Sequence, residues 1–218
     1  MPLVSKAVLP IAYHTGMVFS HMVAVIATGA PETFGYLTST LHREWARRRG
    51  SSLETRIRYT PSDCFETFPF PHSDNADNAQ IAEIMQRIDR YRREVMLSSN
   101  IGLTKLYNRV HNPRDHDAEI DALRALHAEL DRAVCDAYGW TDLDLAFGFH
   151  ETDEGTRWTI APPVLIEILD RLLELNHQRH AEEIVSGRTE PTTPNGKKPR
   201  KATVRSCAPK QLSLTDSI

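Results

Sequence analysis

Seven side chains able to donate hydrogen bonds fall within 17 residues: His42, Arg43, Arg47, Arg48 and Arg49, then Arg56 and Arg58. Guanidinium groups at this density can follow a phosphate backbone, and the two-pronged arginine fork also matches base edges in a major groove. The first five lie on or just past the end of a helical stretch. The last two share one side of an alternating stretch, and Gly50-Ser51-Ser52 joins the two parts. A solvated helix end followed by an exposed strand face accounts for the same residues, and composition alone does not choose between these readings.

Other chemistry finds little support. Among the ten histidines, His177 and His180 with Glu182 and Glu183 come nearest to a metal pattern. No Glu follows His177 directly and the second His comes at i+3, so the spacing is not HExxH. They read as solvated residues near a helix end, and His111 and His116 as loop residues around a Pro-containing turn. Cys64, Cys135 and Cys207 form no CxxC pair, and an odd count gives no complete disulfide framework. Cys64 reads as a small buried hydrophobe. There is no GxxxxGK[ST] loop and no GxGxxG after a strand. The Asn-Pro-Pro-aromatic loop of amino-methylating DNA enzymes is missing too: Asn112-Pro113 is followed by Arg114, and Pro162-Pro163 is preceded by Ala161.

The elements that must carry these residues follow from periodicity. Met22 to Ala27 (MVAVIA) is apolar, β-branched and bounded by Gly29 and Pro31, which predicts a buried strand. Phe34, Leu37, Leu41 and Trp45 predict one helix to about Arg49, with Gly50 as its C-terminal cap. Leu53 to Tyr59 alternates and predicts a single half-exposed strand. The polar and Pro-rich stretch through Pro71 to Asn78 marks a domain boundary. Beyond it Ile81, Ile84, Ile88, Tyr91 and Val95 form a heptad seam along a helix of about five turns. A short helix follows around Leu103 to Val110, and a longer one starts at an Asp117 cap and ends before Gly139. Pro162 and Pro163 open a last helix with Leu165, Ile168, Leu169, Leu172 and Leu175 as its face. Trp158-Thr159-Ile160 is too short to assign.

The whole is therefore an α+β chain: a small mixed α/β domain over residues 1–72, an all-α helical module of three or four helices over 73–186, and a disordered basic tail over 187–218. Its 218 residues, 40% hydrophobic and 25% charged, exclude collagen, mucin and wholesale disorder. No apolar run approaches the roughly 20 residues of a membrane helix, and a cytoplasmic protein without membrane contact is expected. The net charge of -3 conceals a segregation: +4 over residues 1–62, -12 over 63–186 and +5 over 187–218. An anionic partner would be drawn to the ends and repelled by the middle.

From Phe34 to Pro71 the chain reads FGYLTSTLHREWARRRGSSLETRIRYTPSDCFETFPFP. Leu37 to Ser39, His42 to Trp45, Gly50 to Tyr59 and Phe68 to Pro71 together resemble the C-terminal target recognition region of MmeI-like type II restriction-modification enzymes and related adenine-specific DNA methyltransferases. Gly16 to Ser20 and Val23 to Val25 resemble the opening strand of that region. Leu106 to Asn108, Leu126 to Asp131, Val134 to Trp140 and Leu172 to Arg179 resemble its helical C-terminal segment.

The resemblance implies binding of double-stranded DNA with sequence selection, in a family that transfers a methyl group from S-adenosylmethionine to the N6 of adenine. It also implies that the methyltransferase domain, with that cofactor, lies outside this chain. The chain is then expected to be a split subunit completing a separate methyltransferase subunit, or a truncated fragment, and neither methylates nor cuts alone. Arg43, Arg47, Arg48 and Arg49 would chiefly meet phosphate, and Arg56 and Arg58 base edges. Trp45 and Tyr59 are expected in the core, and Phe65, Phe68 and Phe70 to anchor the Pro-rich connection on the helical module. His42 is assigned to neither core nor surface. One rival is a helical protein-interaction module that docks partners through the heptad seam; another is a small enzyme with a pocket gathering His127, Asp131 and His177.

Overall fold

The computed structural model describes residues 1–5, 7–13, 16–53, 56–72 and 75–187. The tail expected to be disordered lies outside the described residues but for Gly187.

After β1 (Val4–Ser5), the chain runs to Pro31 without a helix or a further strand among the described residues. The strand expected over Met22 to Ala27 does not form. Val23 makes one isolated bridge with Pro2, and around it Leu3 N–H donates to Met22 O at 2.9 Å and Ala24 N–H to Met1 O at 2.8 Å. Only Ala24 of this run is buried, and Met22 and Val25 are about half exposed. An apolar run becomes a strand only where a neighbouring strand pairs with it, and here the pairing stops after one bridge.

The expected single helix is two, α1 (Pro31–Thr38) and α2 (Thr40–Arg49). Thr38-Ser39-Thr40 breaks it. Ser39 adopts extended backbone, its hydroxyl donates to Tyr36 O at 2.7 Å and accepts from His42 N–H, so one residue closes α1 and caps α2. A serine in a run of hydroxyl residues offers the backbone this alternative to continuous helix. Gly50 does end α2, but with φ -68° rather than a left-handed turn. Glycine is required there by close approach: a Cβ would stand 2.6 Å from Ala46 O and 2.9 Å from Arg58 O.

The expected single strand over Leu53 to Tyr59 is a hairpin. β2 (Ser51–Leu53) pairs antiparallel with β3 (Arg56–Arg58), Ser51 opposite Arg58 and Leu53 opposite Arg56, and β1 adds on the far side with Val4 opposite Arg58. The sheet order is β1-β3-β2. A short turn, α3 (Pro61–Cys64), leads to the proline-rich connection.

Four helices follow in the positions that the periodicity predicts: α4 (Asn75–Ser98), α5 (Leu103–Val110), α6 (Ala118–Ala137) and, after the hairpin of β4 (Gly148–Thr152) and β5 (Gly155–Thr159), α7 (Pro162–Val185). The Asp117 side chain accepts from Glu119 N–H at the start of α6, and Gly139 takes φ 76° beyond its end. The hairpin takes in most of the unassigned Trp158-Thr159-Ile160.

The heptad seam is spent inside the molecule. Ile81, Ile84, Ile88 and Val95 are buried against a core that includes Ile120, Leu123 and Leu130 of α6. The same core takes Tyr36, Leu41, Trp45 and Phe68 from the N-terminal side of residue 72. A second, smaller cluster, Val8, Ala24, Ala46, Tyr59 and Cys64, lies beneath the three-stranded sheet. None of the described helices is long and apolar enough to cross a membrane.

Candidate nucleic-acid interface

β3 is the middle strand of its sheet, so its backbone is paired on both edges and its side chains stand on fixed positions. Arg56 and Arg58 point to solvent on one face. Ile57 lies on the other, packed against the small cluster, and Tyr59 just beyond is buried. A strand of period two places the two guanidinium groups side by side, one repeat apart.

Tyr59 ties this strand to α2. Its N–H donates to Leu3 O at 2.8 Å, and its hydroxyl meets His42 Nε2 at 3.1 Å. His42, which the sequence left between core and surface, is fully buried and stacked on both Tyr59 and Phe68. Burial holds its pKa down at about 3, so the ring is neutral and one nitrogen can accept from Tyr59. Trp45 and Tyr59 are core residues, as their places on apolar faces predict, and Trp45 Nε1 donates to Thr67 Oγ1 at 3.1 Å. Phe65, Phe68 and Phe70 pack edge to face, with Phe70 against both of the others and also against Tyr36. They hold the proline-rich connection down on α1 and α2.

The four arginines of α2 part company. Arg43 turns inward, donating to Thr159 Oγ1 at 3.1 Å and to Glu44. Arg47 is partly covered, with Glu44 at 3.6 Å and Asp153 at 3.9 Å. Arg49 is exposed but lies over the Trp45 ring, 4.8 Å from its centre, and donates to Asn176 at 3.3 Å. Arg48 is exposed at the helix end.

Asp131 has a role the sequence could not show. Its carboxylate accepts from Thr40 N–H at 2.7 Å, satisfying a free amide of the first turn of α2 from a residue 91 positions away. Burial raises its pKa to about 6. His127 is beside Tyr107, whose hydroxyl lies 2.9 Å from Nε2, and burial together with the Arg92 and Arg43 charges lowers its pKa to about 3. His111, expected as a plain loop residue, caps α5 and is held near 3 by burial and by Arg43 and Arg157. His177 is exposed on α7 and does not join His127 and Asp131. Among the described residues no cluster of His, Cys, Asp and Glu could hold a metal ion.

Known proteins share this segment. Residues 5–72 match the family model for the target recognition domain of MmeI. DNA methyltransferase A of Bacillus subtilis (strain 168) is 28% identical over 121 residues, a match spanning 56% of this chain and 12% of the relative. The structure of the type IIL restriction-modification enzyme MmeI in complex with DNA is 26% identical, with a TM-score of 0.49 over 69% of this chain and 16% of that one. The chain thus spans a small part of the length of each of these relatives.

Proposed function

We propose, for a chain whose residues 5–72 match an MmeI target recognition domain, that it is the DNA sequence-reading part of a restriction-modification type adenine-N6 methyltransferase. The observation that carries this reading is the pair Arg56 and Arg58, held on the open face of the middle strand of the matched segment. Anchored side chains that project in register suit base edges, where a misplaced donor cannot complete its hydrogen bond. Arg48, exposed at the end of α2, suits phosphate; Arg43, Arg47 and Arg49 are engaged within the protein and rank after it as DNA ligands. Methyl transfer from S-adenosylmethionine is the chemistry of the resembling family. This sequence has neither a glycine-rich loop after a strand nor the Asn-Pro-Pro-aromatic motif, so no step of that transfer is assigned to its residues. A methyltransferase-bearing subunit, acting with it in the cytoplasm, is the partner the reading calls for.

The test is binding of the full chain to duplex DNA across a salt series, alongside Arg56→Ala/Arg58→Ala and Arg48→Ala. Removing an arginine that pairs with phosphate should reduce the slope of log affinity against log salt by about 0.9. Removing one that reads a base edge should cost about 1 to 3 kcal/mol and relax sequence preference. The expected result is a shallower slope for Arg48→Ala and weakened selectivity for the double variant. Binding by the wild type that neither variant alters would overturn the assignment, and no binding at low salt would overturn the reading itself.

A further inference from the structure

The outward side of α7 carries an apolar stripe that the fold leaves open. At about 100° per residue, Ile166, Leu169 and Leu173 fall together beside the inward row of Leu165, Ile168 and Leu172. Ile166 is 56% exposed and Leu173 37%. With Trp45 and the end of α2 the stripe lines a shallow groove. Arg48 and Arg49 form its α2 rim, as the Arg49 to Asn176 hydrogen bond places α2 on that side of α7. Asp170 forms the opposite rim, and Glu174 follows it one turn on. Among the described residues neither the Arg48 guanidinium nor the Asp170 carboxylate has an ion-pair or hydrogen-bond partner.

A patch with an apolar floor, a basic rim and an acidic rim is complementary to itself. Rotated about a twofold axis that lies in the contact plane and parallel to α7, the basic rim of one copy meets the acidic rim of the other, which is the condition for an isologous contact. We infer that the α2–α7 groove is the interface of a homodimer, in which α7 packs on α7 of a second copy and Arg48 of each chain pairs with Asp170 of the other. A phosphate backbone is a poorer occupant, because it would meet the open leucine and isoleucine side chains and the Asp170 carboxylate. The groove is small beside the interfaces of stable dimers, so association is expected to be weak, in the micromolar range. The inference shares only Arg48 with the DNA-reading role: in the dimer Arg48 pairs with Asp170 of the other copy and is withdrawn from phosphate, while Arg56 and Arg58 take no part.

Sedimentation equilibrium of the full chain from about 1 to about 100 μM decides it, across the range where such weak association titrates. The mass should rise from 24.7 kDa toward twice that value. Arg48→Glu should raise the dissociation constant about tenfold or more by setting like charges across the axis, and Arg48→Glu/Asp170→Arg should restore it to within about threefold, as charge-pair cycles across interfaces do. Ile166→Asp, on an exposed position, should abolish the rise with the circular dichroism of the folded chain unchanged. A mass of 24.7 kDa at every concentration overturns the proposal. So does a dimer indifferent to Arg48→Glu and Ile166→Asp, or a double variant no better than the single.

Discussion

His42 is fully buried and His111 and His127 are partly buried, and burial is the main cause that holds the pKa of each at about 3 against an ordinary 6.5. The unfolded chain therefore takes up protons as the pH falls below 6.5 while the folded chain does not, and stability declines on that side. By pH 5 each of these histidines should cost about 2 kcal/mol relative to pH 7. Asp131 works the other way. Its folded pKa of about 6 lies above the unfolded value, so its contribution is present at low pH and fades as the pH rises from about 4 to 6. With three histidines against one aspartate the net expectation is a fall in stability on acidification, measured by urea unfolding at pH 7 and pH 5. His42→Gln, which keeps an acceptor for the Tyr59 hydroxyl, should flatten that difference by roughly two-fifths. An equal pH dependence in the variant would mean that His42 is not held neutral by burial.

Helix α4 shows which kind of packing holds the elements together. Its inward row is closed by α6 on one side and by α1 on the other, and Gly35 of α1 lies against Ile81, so that a Cβ at Gly35 would run into the Ile81 side chain. Gly35→Ala should destabilise by about 1 to 3 kcal/mol, although alanine is the better helix former at an open site. Ile88→Ala should cost about 2 to 5 kcal/mol because it empties a fully enclosed position. Arg87, one residue before it, makes an exposed ion pair with Glu129 at 2.7 Å, and Arg87→Ala should cost less than about 1 kcal/mol. Denaturant unfolding of the three variants checks the order; a large effect of Arg87→Ala would show the α4–α6 packing to be held by charge rather than by apolar burial.

Over the whole molecule, the core does not stop at the connection near residue 72. Tyr36, Leu41, Trp45 and Phe68 are buried with side chains of α4 and α6, and Asp131 of α6 holds the first turn of α2. The β3 face that carries Arg56 and Arg58 is thus placed by α2, and α2 by the helices. Residues 1–72 expressed alone should lack a cooperative thermal transition, because that separation exposes these aromatic and leucine side chains together, whereas the full chain should unfold in one. A sharp transition in the short fragment would show that the segment stands alone. The charge segregation adds direction: the strongly acidic stretch over 63–186 turns a polyanion toward the N-terminal segment, where Arg48, Arg56 and Arg58 are exposed.

Periodicity by itself determined the helices beyond residue 75. The Ile81 to Val95 seam, the Asp117 cap, Gly139 and the Pro162-Pro163 start are local signals, and the energies behind them act within a few residues or along one face. It also put Arg56 and Arg58 on one side of extended chain, since a period of two holds in a hairpin as in a lone strand. What the sequence did not determine depends on partners distant in the chain. Met22 to Ala27 has the composition of a strand but finds only one bridge, and the stretch from Leu53 to Tyr59 turns back on itself because β1 and β2 flank β3. Arg43, Arg47, Arg48 and Arg49 read alike in sequence. Only packing set Arg43 against Thr159 and Arg49 over Trp45 while leaving Arg48 open, because the free energy of a long cationic side chain is decided by which acceptors, rings and water the folded chain brings within its reach.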